Sequence, residues 1–290
     1  MSLIGTMDSG VSALRAYEKG LEVIGNNIAN VNTVGFKGGD TQYANSFSDV
    51  LQASTPATGS SSESPSMEVG TGVKLSGIST DFSQGEINTT GIASDLAISG
   101  NGFFIVKDAN SGATYATRDG EFRWDSNGYL VNAEGDRVQG LTGGTSSASP
   151  ATVGDIKLGT PPTGTQLQSV TVDSQGRVVE SYSDGSSATT NQTLLQNYND
   201  PSALTSAGNN LYTGMANAGP IGGSTLTAAN NTPDTLGLGS VQSGALEGSN
   251  VDLTQQFSDL ITTQRSFEAA SRLITVSDTI LQDIVDLKHS

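Results

Sequence analysis

The C-terminal stretch places Leu253, Leu260, Phe267, Ile274 and Leu281 at an unbroken seven-residue interval. Seven residues are close to two turns of α-helix, so these side chains form one stripe that must be buried against other helices. The opposite end carries Ile4, Met7, Val11, Leu14, Tyr17, Leu21, Ile24, Ile28 and Val31, spaced three or four apart. That is a second stripe, and the three-residue step from Leu14 to Tyr17 breaks a strict heptad and overwinds a coil locally. The two ends have little to pack against inside the chain except each other. Any fold must start from amphipathic helices at both termini with everything else between them.

The spacing predicts a first helix over about Leu3 to Asn32, stopped at Thr33-Val34-Gly35, where glycine supplies the left-handed residue. Asn26, Asn27, Asn30 and Asn32 crowd its last turns. Asparagine amides compete for backbone partners inside a helix, so this cluster predicts a polar seam or a fraying end. The final helix is expected from Ser249 to about Lys288, with Ser249 as cap and Asp252 as its capping-box partner. Phe257, Ile261 and Val285 widen its stripe, whereas Gln264, Ser271 and Asp278 interrupt it. Polar groups in such a seam fix register or partner number.

Between the helices the pattern changes. Residues 38–70 read as a linker or extended arm, with one short element around Tyr43, Phe47, Val50 and Leu51. A low-complexity stretch at 54–66 reads as flexible. From Val69 onward, turn signals recur about every ten residues: Gly100-Asn101-Gly102 before Phe103–Val106, Arg118-Asp119-Gly120 before Glu121–Trp124, Asn127-Gly128 before Tyr129–Val131. Glycine and asparagine stand where hairpins need positive φ. The prediction is an α+β fold. Residues 1–37 and 249–290 form a coiled-coil-like helical domain, and 71–248 an antiparallel β-rich middle domain with a loop or short insertion at 142–190. The middle is expected to fold without residues 1–68 and 249–290.

Composition then removes function classes. A net charge of −16 argues against nucleic acid and against an anionic membrane surface, both of which require clustered Lys and Arg. No run approaches the roughly 18 apolar residues of a membrane span. The chain has no cysteine, which excludes disulfides and thiolate chemistry. The N-terminus lacks a basic segment followed by an apolar core, so no cleaved signal peptide is expected. His289 is the only histidine, which removes His-based triads and His-ligated metals. Asp108–Asp119 and Asp125–Asp136 have the length of calcium loops but put Ala113 and Leu130 where glycine belongs, so they read as hairpin turns. Glu86, Asp95, Asp119 and Glu121 read as scattered acids rather than a catalytic pair, and Trp124 as core. Neither an enzyme nor a cofactor or metal site is expected.

Three segments carry a resemblance. Asn26 to Lys37 reads NNIANVNTVGFK, Asp95 to Phe104 reads DLAISGNGFF, and Gly244 to Leu253 reads GALEGSNVDL, followed by Gln264 to Glu268, QRSFE. In this order, with helical ends and a strand-rich middle, the chain resembles the flagellar rod and hook family, the axial proteins of the bacterial flagellum. Gly244–Glu247 and Val73–Ile78 resemble hook proteins more than distal rod proteins, which makes the hook the expected location and the distal rod the alternative. The resemblance covers residues 1–37, 70–141 and 192–288 and is silent on 38–69 and 142–190; many hook proteins are longer and insert a separate outer domain where this chain has only about 142–190.

The resemblance implies export through the flagellar type III apparatus and polymerisation outside the cell into a hollow helical tube. Further partners would be the distal rod, the hook cap and the hook–filament junction. The expected function is a curved tube that transmits torque from rod to filament. The helices would line the inner wall, and the linker after Phe36-Lys37 would bridge subunits. The expected subunit-interaction residues are Val11, Leu14, Leu21, Ile24, Asn26, Asn27, Ile28 and Asn30 at one end and Leu253, Phe257, Leu260, Phe267, Ile274 and Leu281 at the other. In a single subunit the helical ends are expected to be largely disordered and to order on assembly. Arg265 and Arg272 flank the stripe, either solvated or paired with a neighbouring subunit. An extracellular binding module or a polysaccharide-active enzyme would keep its activity without the C-terminal helix; a filament subunit would lose polymerisation.

Overall fold

The computed structural model describes residues 3–54, 65–143 and 152–289. Most of the stretch expected to be flexible (55–64) and residues 144–151 of the expected insertion lie outside the described residues, as do the side chains of Ile4 and His289. In chain order the elements are α1 (Leu3–Ala29), β1 (Gly39–Asn45), β2 (Ser48–Gln52), β3 (Met67–Gly70), β4 (Val73–Thr80), β5 (Ile87–Thr89), β6 (Leu96–Ser99), β7 (Phe103–Lys107), β8 (Thr114–Thr117), β9 (Arg123–Trp124), β10 (Leu130–Val131), β11 (Arg137–Thr142), β12 (Thr152–Asp155), β13 (Leu167–Val172), β14 (Arg177–Tyr182), β15 (Ser187–Thr193), β16 (Leu195–Gln196), β17 (Thr205–Gly208), β18 (Leu211–Thr213), α2 (Ala228–Asn231), β19 (Ser240–Ser243), β20 (Ala245–Glu247) and α3 (Leu253–His289). The chain divides into two compact units. Residues 1–29, 39–80 and 252–290 make a helical unit, and residues 30–38 and 81–251 a sheet unit.

In the helical unit α1 and α3 run antiparallel, because Gly10 faces Ile274 and Asn27 reaches Gln256. The approach is close: a Cβ on Gly10 would sit 2.9 Å from Ile274 Cγ1. Small residues permit this. Gly10, Ala16 and Gly20 are buried on α1, and Ala270 and Ser277 on α3. At 1.5 Å per residue α3 is about 55 Å long. It starts later than expected. Asp252, not Ser249, is the cap, accepting from the backbone N–H groups of Thr254 at 2.8 Å and Gln255 at 3.3 Å.

Within the 38–70 stretch expected as a linker or extended arm with one short element, residues 39–45, 48–52 and 67–70 are strands, and β4 follows where strands were expected. β1 pairs antiparallel with β4 through a bulge at Gln42/Tyr43, and β2 pairs with β3. Both β1 and β4 pack on α1, and Tyr43 meets Tyr17 edge-on at 6.1 Å. β4 shows the alternating burial of a strand with one face covered. β2 carries no buried residue at all.

The sheet unit is antiparallel. Its long path runs β13-β14-β15-β11-β7-β8-β18-β17, with β12, β10 and β16 paired alongside. β7 lies near the middle and is buried on both faces. Phe104 and Val106 enter one apolar cluster with Leu96, Ile98, Leu130 and Val138; Phe103 and Ile105 enter a second with Tyr198 and Tyr212. The period of two along a strand makes that division. Trp124 packs half-buried against the first cluster. The two supposed calcium loops are turns held by their own first residue. Asp108 Oδ1 accepts from Asn110 N–H and Asp125 Oδ1 from Asn127 N–H, both at 2.8 Å. The segment expected as an insertion continues the sheet, since β15 and β12 both pair with β11. Among the described residues no helix is long and apolar enough to cross a membrane.

Candidate assembly surface and a buried ionic clasp

The predicted interaction residues fall into three groups. Ile24 is buried, and Leu14, Leu21 and Ile28 are half-buried within the helical unit, with Val11 exposed. Leu260, Ile274 and Leu281 are half-buried on α3, whereas Leu253, Phe257 and Phe267 are exposed. The innermost line of α3 is Gln256, Thr263, Ala270 and Ser277. It keeps the seven-residue interval but is displaced by three positions from the leucine stripe. The absence of a side chain at Gly10 lets Ile274 of the stripe lie directly on α1, while the deepest burial on α3 falls on the small Ala270 and Ser277.

Two rows of exposed apolar residues flank that seam. Leu253, Phe257 and Ile261 lie on one side and Leu273, Val276, Ile280 and Leu287 on the other, as 3.6 residues per turn requires, while exposed Ile284 prolongs the seam line itself seven residues after Ser277. Arg265 and Arg272 are exposed on the outer face and make no ion pair among the described residues. Contiguous apolar surface of this kind marks an interaction site.

The asparagine cluster is not one polar seam. Asn26 is exposed, and Asn30 Oδ1 accepts from Thr33 Oγ1 at 3.1 Å in the turn that ends α1. Asn27 is 2% exposed and fully used inside the helical unit. Its Nδ2 donates to the Gly39 carbonyl at 2.8 Å and to Gln256 Oε1 at 3.1 Å, and its Oδ1 accepts from Gly39 N–H at 2.9 Å. Asn27 therefore ties α1 to β1 and α3 within the chain and has nothing left to offer a neighbour. A single asparagine in a predicted seam does not reveal this, because Gly39 and Gln256 are remote in sequence.

The sheet unit holds a feature that sequence reading missed. Lys37 Nζ donates to Glu247 Oε1 at 2.6 Å and to the Ser83 carbonyl at 2.7 Å. Arg118 Nη1 donates to Glu247 Oε2 at 3.0 Å, and Gly85 N–H reaches Oε1 at 3.0 Å. The Lys37 and Glu247 side chains are wholly buried. Arg118 also donates to the Gly100 carbonyl at 3.0 Å and lies 5.2 Å from the Phe103 ring centroid. One carboxylate thus serves two interior cations. Burial pushes the Lys37 ammonium below the usual lysine range, with Glu247 opposing that shift.

Backbone geometry delivers these groups. Gly35 has φ +67°, its N–H donates to the Glu247 carbonyl at 2.8 Å, and a Cβ there would meet Asp119 N at 2.7 Å. Glycine is required on both counts. Asn250 laces the same region, accepting from Gly38 N–H and donating to the Asp81 carbonyl, both at 2.8 Å. Residues 30–38 are therefore built into the sheet unit, although they fall within the 1–68 stretch that the middle was expected to fold without. The only sequence signal was that Lys37 and Glu247 each sit inside a recognised motif.

The remaining acids are structural. Asp95 accepts from Thr90 Oγ1 at 2.6 Å. Burial, followed by repulsion from Glu121, Glu134 and Asp95, raises the Asp119 carboxyl, although Glu121 N–H donates to it. Glu180, fully buried and with no ion pair among the described residues, accepts from Tyr182 Oη at 2.6 Å, Thr190 Oγ1 at 2.5 Å and Gly159 N–H at 2.9 Å.

Comparison with known proteins matches these segments in order. The models named "Flagella basal body rod protein", "Flagellar hook protein FlgE/F/G D1 domain" and "Flagellar basal body rod FlgEFG protein C-terminal" match residues 7–37, 97–180 and 242–287. Each contains one member of the clasp: Lys37, Arg118 and Glu247. The chain is 36% identical over 287 residues to the flagellar basal-body rod protein FlgG of Bacillus subtilis, covering 99% of this chain and 100% of that one. It is 26% identical to the flagellar hook protein FlgE of Borreliella burgdorferi over 454 positions, covering 99% and 100%. With the flagellar hook protein FlgE of Treponema pallidum it is 41% identical over 139 residues, 48% of this chain and 30% of that one. The family forms polymeric axial structures and is structural in role. With helices at both ends, an antiparallel middle and an end-to-end relative at this identity, the chain belongs to the flagellar hook and basal-body rod family of axial structural proteins.

Proposed function

We propose that this chain is a subunit of the flagellar hook, exported without a cleaved signal and polymerised outside the cell into a hollow tube. The observation that carries polymerisation is the pair of exposed apolar rows on α3, which the described residues leave uncovered. Neighbouring copies supply the cover. Contacts of this kind are heterologous and do not close, and they extend into a filament. In the unassembled subunit, amide hydrogens of residues 273–287 exchange fast, and assembly protects them; strong protection before assembly would contradict this reading.

Two observations support the hook within the family. Gly244–Glu247, which resembles hook proteins, supplies the clasp carboxylate, and identity rises to 41% in the block shared with a hook protein. The distal rod is the second reading. It is supported by the end-to-end match to a basal-body rod protein of similar span, while the 454-position alignment to a hook protein exceeds the 290 residues of this chain. Electron microscopy of cells lacking the protein separates them: an intact rod without a hook supports the first, and a truncated rod overturns it in favour of the second. On either reading the partners are further copies, other axial proteins such as the hook cap and hook–filament junction, and the type III export apparatus.

A further inference from the structure

Leu236 is misplaced by the local rules that govern the rest of the sheet unit. It is 65% exposed, more than any other large apolar side chain described in that unit. Its φ is +50°, in the left-handed region where a bulky side chain crowds its own backbone. The loop holds it there. Asp234 (φ +64°) and Gly237 (φ +80°) share the left-handed conformation. Asp234 N–H donates to the Gly239 carbonyl at 3.0 Å, and Leu238 N–H to the Thr235 carbonyl at 2.9 Å. Glycine at 236 would relax the backbone, and a polar residue would suit the solvent. Leucine does neither, so nothing within the subunit favours it. Strain kept at an exposed position points to a use for that side chain outside the subunit.

The same unit carries an apolar groove of about 430 Å³. Ile105, Tyr198, Met215 and Leu226 wall it, and exposed Lys107 stands beside them. Leucine and groove belong to different sides of the sheet. Leu238, two residues beyond Leu236, packs in the first apolar cluster, whereas Ile105 and Tyr198 belong to the second, and β7 separates the two clusters. One copy is therefore not placed to fill its own groove. The charges are complementary as well. Asp234 is exposed two residues before Leu236, and neither it nor Lys107 makes an ion pair among the described residues. The projecting loop thus brings an apolar side chain and an anion; the groove offers an apolar wall and a cation.

We propose that Leu236 of one copy seats in this groove of the next copy, with Asp234 set against Lys107. Loop and groove lie on different surfaces of one unit, so the contact is heterologous and repeats head to tail without closing. The proposal rests on the polymer reading and adds to it a contact between sheet units.

Because the chain has no cysteine, introduced cysteines report the contact directly. Leu236→Cys and Ala216→Cys chains, prepared separately, are mixed, polymerised and oxidised. Ala216 is an exposed lining residue of the groove. The expected result is roughly ten-fold more disulfide dimer than from Leu236→Cys mixed with Ser169→Cys, an exposed position on β13. Polymers that form with no such excess overturn the docking and leave the polymer reading standing. Failure of the unsubstituted chain to polymerise overturns the polymer reading itself. In the dilute subunit, Ala216→Cys is expected to react freely with a thiol reagent; strong protection there means that the chain covers its own groove and overturns the docking between copies. As a second measurement, Leu236→Gly is expected to raise the melting temperature of the unassembled subunit by a few degrees, by relief of the left-handed leucine, and yet to raise the critical concentration for assembly several-fold. A lower melting temperature makes Leu236 a packing residue of its own subunit, and an unchanged critical concentration removes it from the contact; either result overturns the proposal.

Discussion

Leu96–Ile98 and Phe103–Val106 of the sheet unit are buried almost completely, on both faces of their strands. In the helical unit, Leu273, Val276, Ile280, Ile284 and Leu287 lie 41% to 76% exposed along one helix. The sheet unit completes two apolar clusters and satisfies its buried Lys37, Arg118, Glu247 and Glu180 with partners of its own. The helical unit closes one narrow seam of small residues and leaves its largest apolar side chains facing out. Regular secondary structure and burial are thus separable within one chain: α3 is the longest element, yet ten of its large apolar side chains are exposed.

The largest break in this contrast is expected at Glu247. Glu247→Leu leaves Lys37 and Arg118 as uncompensated interior cations and is expected to cost about 3–5 kcal/mol. The single tryptophan, Trp124, lies in the sheet unit, so denaturant unfolding followed by its fluorescence reads that cost. The triple variant Lys37→Met, Arg118→Met, Glu247→Leu is expected to recover most of the loss, since apolar replacement of a whole buried ionic group is often neutral. If the triple variant is as unstable as the single one, the ionic explanation is wrong.

A smaller effect, in the other unit, is expected from Gly10→Leu. The added side chain meets Ile274 across the seam and is expected to cost about 1–3 kcal/mol by overpacking. Circular dichroism at 222 nm should show the helices melting earlier, with the Trp124 transition unmoved. Coupled transitions would refute the division into two units.

Alkaline pH acts on the sheet unit through its tyrosines. A hydrogen bond to Glu180, then burial, raises Tyr182 to about 12; burial raises Tyr212 to about 12 and raises Tyr198 as well. Between the ordinary tyrosine value near 10 and these folded values, the native state holds more protons than the unfolded one. Stability present below about pH 10 is therefore lost as pH rises toward 12. Lys37, depressed by burial, has the opposite sign, one group against three. Tyr212→Phe should move the alkaline midpoint of Trp124 fluorescence upward.

The smallest effect is expected at Asp119. Its raised carboxyl binds its proton more tightly folded than unfolded, so the ionised form is a cost that appears as pH rises above the ordinary carboxylate range. Asp119→Asn keeps an acceptor for Glu121 N–H and should stabilise at pH 7 by under about 1 kcal/mol, a gain that vanishes near pH 3. Equal melting temperatures at both pH values would exclude the repulsion argument.

The helices and the hairpins were legible because each rests on a short-range rule: three-to-four spacing for one, period two with Asn-Gly turns for the other. The contact line between the helices was not. Hydrophobicity points to Leu253, Phe267 and their partners, yet closeness of approach is set by Gly10, Ala16 and Gly20, which carry no hydrophobic signal. The strands inside 38–70 were read as a linker with one short element because β2 and β3 have no buried face to impose alternation. Lys37, Arg118 and Glu247 read as ordinary charged residues, since their meeting depends on contacts spanning up to 210 residues of chain. Asn250 and Asn27 look alike in sequence, and only their distant partners show that each fastens a different unit.

The clasp draws its three members from positions 37, 118 and 247, so its counter-charge is the last to be synthesised. A ribosome that stalls before Glu247 releases a chain with two cations and no anion to meet them in the interior. Such a fragment is expected to keep its sheet unit open, so the ordering of that unit waits on the last tenth of its own sequence; circular dichroism of chains ending just before and just after residue 247 would measure the difference.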